Sequence, residues 1–212
     1  MSMWHAIGCQ LQHPQGFAGR LAGAAMRVVN ARPNLVAVDA LQVGPHDTVL
    51  ELGCGPGHAL SVIASRAPFN TINGIDRSSV MLGQAASRNA KAIREGRVRL
   101  MAAEFEWLPF RESTFDKILA VNVIYFWRDT RRVLDGIRRV LRPGGRLVIY
   151  ATDAASMRHW KFASPDTHRL FDRAALARVL EEAGFDRRRV CVEEIDVMAQ
   201  VRGLLATCSM HG

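Results

Sequence analysis

The stretch Val49-Leu50-Glu51-Leu52-Gly53-Cys54-Gly55-Pro56-Gly57-His58-Ala59-Leu60 decides the fold. An aliphatic run ends in three glycines at alternate positions, and helix-compatible residues follow at once. Glycines at such a junction let the backbone turn sharply and approach a ligand, and the free amides of the following helix favour anionic or polar groups. The segment therefore predicts a strand, a small-molecule cradle and a helix. Spacing narrows the ligand. Counted from Gly53 and Gly55, a dinucleotide fingerprint needs its third glycine at 58, where the chain has His58, with glycine at 57 instead. The dinucleotide reading fails on register.

Outward from this loop, strand-like and helix-like segments alternate from Asp47 onward, which predicts a doubly wound α/β domain. Strands are expected at Thr48–Leu52, Thr71–Asp76, Val98–Ala102, Phe115–Val121 and Arg146–Ala151, with Arg189–Val197 and Leu204–Ser209 closing a sheet of seven. Helices are expected at His58–Arg66, Ser79–Ile93, Asp129–Leu141 and Arg173–Ala183, capped by residues such as Ser78, Asp172 and Gly184. Before this unit, 16–30 and 34–41 read as helices joined by Arg32-Pro33. Residues 1–46 are thus expected to form an amino-terminal helical cap and 47–212 the ligand-binding domain. The irregular stretch Thr152–Phe171 is a candidate pocket wall, because ligands of doubly wound sheets gather at the carboxyl ends of strands.

The E-x-G-x-G-x-G spacing of Glu51, Gly53, Gly55 and Gly57 closely resembles motif I of the class I S-adenosylmethionine-dependent methyltransferases. Further matches follow in order: Gly74-Ile75-Asp76, Ala103-Glu104-Phe105-Glu106-Trp107-Leu108-Pro109-Phe110, Ser113-Thr114-Phe115-Asp116, and Arg139-Val140-Leu141-Arg142-Pro143-Gly144-Gly145. The resemblance implies a Rossmann-like fold of seven mostly parallel strands with helices on both faces. It also implies S-adenosyl-L-methionine as cofactor and methyl transfer to a small-molecule N, O or C atom. By the same resemblance Gly53, Gly55 and Gly57 would meet the methionine end, Asp76 the ribose, and Glu104 and the Phe105 amide the adenine. Asn122 would lie near the methionine amino group, and Glu51 and Arg77 complete the cofactor set. Glu104 stands where the family has Asp and Ala103 where it has Gly, so the expected adenine contact sits one methylene farther out or falls to the backbone alone.

Displacement on an activated methyl requires positioning above all, so no acid–base motif need be visible. Where the acceptor must lose a proton, Tyr125 and His159 are the candidate catalytic groups, with Phe126, Trp160 and His13 for acceptor binding. Asn122-Val123-Ile124-Tyr125 has the spacing of the N-P-P-Y element of nucleic-acid base methyltransferases but lacks both prolines. The net charge of +8 suits an anionic partner, yet the basic residues are scattered, which argues for solvated faces over a nucleic-acid surface and leaves an anionic membrane as a weaker reading. A nucleic-acid or phospholipid methyltransferase and a non-catalytic nucleotide-binding module are therefore the rival readings. Cys9, Cys54, Cys191 and Cys208 show no metal-ligand spacing, so no metal is expected. The absence of a basic start with an apolar run, and of any ~20-residue apolar stretch, predicts a cytoplasmic location.

Overall fold

The computed structural model describes residues 3–12, 14, 30–198 and 200–210. The helix expected across 16–30 lies outside the described residues except for Asn30, and His13 lies outside them too. The helices are α1 (Met3–Gln12), α2 (Ala31–Leu41), α3 (His58–Arg66), α4 (Ser79–Arg88), α5 (Ala90–Arg94), α6 (Thr130–Val140), α7 (Ala154–Met157) and α8 (Arg173–Glu182). The strands are β1 (Thr48–Leu52), β2 (Thr71–Asp76), β3 (Val98–Ala102), β4 (Phe115–Val121), β5 (Leu141–Thr152), β6 (Val190–Met198) and β7 (Val201–Ser209).

The seven strands form one sheet in the order β3-β2-β1-β4-β5-β7-β6, parallel except for β7, which runs antiparallel to β5 and β6. Alternate side chains of each inner strand enter opposite layers. Leu50, Leu52, Ile118, Ala120, Leu147 and Ile149 pack with α6 and α8 on one face, and Val49, Leu119, Val121 and Val148 pack with α2 and α3 on the other. Those strands are buried on both sides, which is why they read as near-continuous hydrophobic runs.

Strand β7 begins at Val201, three residues before the expected Leu204, and three further boundaries differ from expectation. Helix α2 begins at Ala31 and carries Pro33 in its first turn, where the missing N–H has no helical partner to lose. Its Ala37, Val38 and Leu41 belong to the same buried cluster as Val49 and Ile63, so this part of residues 1–46 is built into the sheet's core. The expected helix across 79–93 breaks at Asn89, whose side-chain amide instead donates to Gly57 O and Ala85 O. Strand β5 starts at Leu141, opposite Phe115, and the Pro-Gly-Gly segment bulges out before Arg146 pairs with Lys117. Caps at Ser78, Asp129 and Asp172 each accept an amide hydrogen bond at the start of their helix.

Many of the scattered arginines have structural duties. Arg131 and Arg138 donate to Glu182 O and Ala183 O at the end of α8, Arg139 to Leu108 O and Phe110 O, and Arg189 to Met210 O. They bind loop and helix-end carbonyls, so these cations have structural partners. All four cysteines are free thiols. No described helix is long and apolar enough to cross a membrane, and no cluster of metal-ligating side chains occurs among the described residues.

Candidate active site

The chain winds outward from β1 to β3 and then returns to place β4 on the other side of β1. This reversal leaves a crevice at the carboxyl ends of β1 and β4, where ligands of doubly wound sheets bind. There the structure has a solvent-open cleft whose wall includes the glycine loop.

Gly53, Gly55 and Gly57 have φ of +68°, +49° and +74°, conformations that side chains disfavour. A Cβ on Gly53 would sit 2.5 Å from Val123 Cγ2, and one on Gly57 would sit 2.6 Å from Asn89 Nδ2. Gly55 differs: a Cβ there meets nothing within 4 Å and would occupy open space. Two of the three glycines are thus required by packing, and the middle one keeps the cleft clear.

Asp76 ends β2 on the cleft wall, its two oxygens accepting hydrogen bonds from Gly55 N at 2.9 Å and Ser78 N at 2.8 Å. It therefore braces the glycine loop besides facing the cleft. The neighbouring Phe105 is buried and lines the same cleft, with the Arg77 guanidinium 5.3 Å from its ring centre. Arg77 is almost fully covered and pairs at 3.6 Å with Glu104, whose side chain is 57% exposed. Glu104 does not reach the described cleft wall, so Phe105 with Arg77 behind it forms this end of the site.

Beneath the loop, Glu51 is buried and its Oε2 has no hydrogen-bond partner. Burial, reinforced by the nearby Asp76 charge, pushes its carboxyl well above the usual carboxylate range, against a lowering backbone hydrogen bond at Leu60. The same burial, with Glu51 and Asp76 close by, raises the Cys54 thiol, which removes it as a nucleophile. Across the cleft Asn122 holds a left-handed φ of +53° at the end of β4. Its Nδ2 donates to Asn30 Oδ1 at 2.9 Å, and its Oδ1 accepts from the Tyr125 hydroxyl at 2.8 Å and Thr152 N at 3.1 Å.

Tyr125, a candidate proton acceptor by sequence, is 6% exposed, and its hydroxyl is held between Asn122 and the Thr152 backbone. Burial raises its pKa further from neutrality. It reaches the site through Asn122 and does not line the described cleft, whereas its neighbour Phe126 does. His159 and Trp160 stand apart, on a recess beside the β6–β7 hairpin.

Sequence reasoning missed Leu11, Pro14, Asn30, Asn34 and Met81 on the cleft wall, and His58, whose Nδ1 is buried without a partner. Burial and then Arg88 lower the His58 pKa. His58 had a signal, since it occupies the first helical position after the glycines; for the amino-terminal residues the expected cap gave the region but not the side chains, because only folding brings Leu11, Pro14, Asn30 and Asn34 to the cleft. Arg77 donates to Gln12 O at 3.2 Å and Ser78 Oγ to Pro14 O at 2.5 Å.

The loop, the strand-end carboxylate, the unpartnered Glu51 oxygen and the space over Gly55 suit a cofactor with a cationic end and a ribose. Comparison with known proteins agrees. Residues 50–149 match the family described as a methyltransferase domain. A Bacillus subtilis protein named uncharacterized methyltransferase YdaC is 30% identical over 190 residues, 89% of this chain and 96% of that one. An O-methyltransferase of Pyrenophora dematioidea is 27% identical over 200 residues, 88% of this chain and 70% of its own. Among solved structures, Haemonchus contortus phosphoethanolamine N-methyltransferase 2 in complex with S-adenosyl-L-methionine superposes with a TM-score of 0.79 at 15% identity, over 100% of this chain and 61% of that one. The chain belongs to the class I methyltransferases and is an enzyme that uses S-adenosylmethionine.

Proposed function

We propose that the acceptor is a small molecule without a phosphate group, methylated on an N, O or C atom. The observation that carries this reading is the charge of the cleft: among the described lining residues the carboxylates are Glu51 and Asp76, and the acceptor-side wall of Leu11, Val123 and Phe126 is apolar. The described lining holds no Arg or Lys, the groups that ordinarily meet a phosphodiester, and the Asp76 carboxylate favours a cationic cofactor over an anionic acceptor. Arg131, Arg138, Arg139 and Arg189 are engaged with backbone carbonyls, so the net charge of +8 does not by itself argue for RNA or anionic phospholipid as acceptor.

S-Adenosylmethionine supplies a methyl group on positively charged sulfur, already activated for displacement. Glu51 and the Gly53–Gly57 loop hold the methionine end, Asp76 takes the ribose hydroxyls, and Phe105, backed by Arg77, bounds the adenine. Asn122, fixed by Asn30, Tyr125 and Thr152, orients the end of β4 beside the methionine. Within the amino-terminal region, Leu11 of α1 and Pro14 cover part of this site.

The test is cofactor turnover, read as S-adenosylhomocysteine by mass spectrometry, with three sets of acceptors: phenols and amines, bulk RNA, and anionic phospholipid vesicles. Turnover with the small molecules alone is expected. Faster turnover with RNA or vesicles refutes the reading.

A further inference from the structure

Helix α2 ends shortly before β1 begins, so its amino end lies at the carboxyl edge of the sheet, next to the start of α3, against which it packs. Two helix amino ends thus meet at the cleft. Asn30 and Asn34 of one and His58 of the other are all part of its wall. Backbone amides at such ends favour an anionic group.

Asn30 holds the N-cap position of α2, where an asparagine ordinarily accepts from a first-turn amide. Here its side chain makes no capping bond, and its Oδ1 accepts from Asn122 Nδ2 at 2.9 Å instead. Asn34 follows four residues later and so lies on the same face of the helix. It is 7% exposed, and its side-chain amide has no hydrogen-bond partner among the described residues. Burial of an amide without a partner opposes folding, and a ligand in the cleft is what offsets it.

The methionine end of the cofactor carries two charges, an ammonium and a carboxylate. Glu51 takes the first in the orientation given above, and the second needs hydrogen-bond donors in a positive field. We propose that Asn34, at the amino end of α2, donates from Nδ2 to the methionine carboxylate and makes the site select ligands that carry this group. The inference rests on that orientation, with the methionine at Glu51 and the glycine loop. Asn34 is a positioning residue: by fixing the carboxylate it sets where the sulfur and its methyl group stand. Decarboxylated S-adenosylmethionine, which keeps the ammonium and the reactive methyl, is the molecule that the site rejects.

Calorimetric titration compares S-adenosylhomocysteine with its decarboxylated analogue, which retains nucleoside, sulfur and ammonium. The wild type is expected to prefer S-adenosylhomocysteine at least about tenfold. Asn34→Ala should weaken S-adenosylhomocysteine about tenfold and leave the analogue within about twofold. Asn34→Asp, nearly the same in size, should weaken S-adenosylhomocysteine further by setting two anions together and should spare the analogue; it keeps the test open if Asn34→Ala melts early. Equal weakening of both ligands in a folded variant, unchanged binding of S-adenosylhomocysteine, or a wild type that binds the two alike overturns the proposal. A deaminated analogue that keeps the carboxylate checks the orientation separately. If Glu51→Gln weakens S-adenosylhomocysteine but not this analogue while the Asn34 variants fail to discriminate, the orientation stands and the Asn34 assignment falls. If Glu51→Gln weakens both alike, the orientation fails and the proposal with it.

Discussion

The three loop glycines share a left-handed backbone but not a common surrounding, so alanine should separate their roles. At Gly55 the substitution adds left-handed strain of about 1–2 kcal/mol, part of which is offset by the stiffer unfolded chain. No atom lies within 4 Å of the new Cβ, so the net loss of stability is about 1 kcal/mol. At Gly57 the same strain is joined by contacts of 2.6 Å to Asn89 Nδ2 and 2.9 Å to Ala85 Cβ, both in a buried helix junction. Overpacking of this kind adds about 1–3 kcal/mol, for a total near 3 kcal/mol and a fall in melting temperature of roughly 6–12 °C. The order reverses for the ligand, because the Gly55 methyl projects into open space beside the cleft. Gly55→Ala should weaken S-adenosylhomocysteine at least about tenfold, a cost of about 1.4 kcal/mol. Urea melts and calorimetric titration measure both quantities. A folded Gly55→Ala protein that binds S-adenosylhomocysteine like the wild type refutes the assignment of that space to the cofactor.

Asp76→Asn should weaken cofactor binding by about 1–3 kcal/mol, and Asp76→Ala should additionally destabilise the loop through the lost Gly55 N and Ser78 N bonds; equal melting curves for the two contradict the bracing role. Tyr125→Phe leaves Asn122 Oδ1 and the Thr152 amide with one partner fewer, so it should cost about 1–3 kcal/mol of stability and raise the cofactor dissociation constant; a pure loss of turnover would instead return Tyr125 to the acceptor side. Glu51→Gln should stabilise the cofactor-free protein as pH rises, since the raised pKa means ionisation opposes folding, and should weaken S-adenosylhomocysteine; unchanged stability means Glu51 is not desolvated. His168 has its folded pKa depressed from 6.5 to about 4, so its stabilisation is present above the upper value and is lost as pH falls toward the lower. The loss is about 3 kcal/mol relative to His168→Gln, and parallel urea-midpoint profiles for the two proteins over that range would contradict it.

Strand positions were legible because β1, β2 and β4 are short runs rich in aliphatic residues and bounded by turn residues, even though Asn73 interrupts β2 and Asp116-Lys117 open β4. The break at Asn89 was not, because Asn tolerates a helix and leaves it here for a carbonyl of the glycine loop 32 residues away. Glu104 was readable as a position but not as a contact, since its exposure and its pairing with Arg77 depend on how the loop after β3 folds.

By itself the sequence determined the sheet's strands and the glycine loop's register, which depend on neighbours within a few residues, while the cofactor class came from the resemblance of several ordered motifs to one family. Asp76 needed one further step, the assumption that β2 lies beside β1. Tertiary structure decided which groups face one another. It set Asn30 and Pro14 over the loop, bound Tyr125 to Asn122 in place of an acceptor, and put His159 on an outer recess and His168 behind Phe126. A histidine's role rests on burial and on what surrounds its ring, and neither is a local property of the chain.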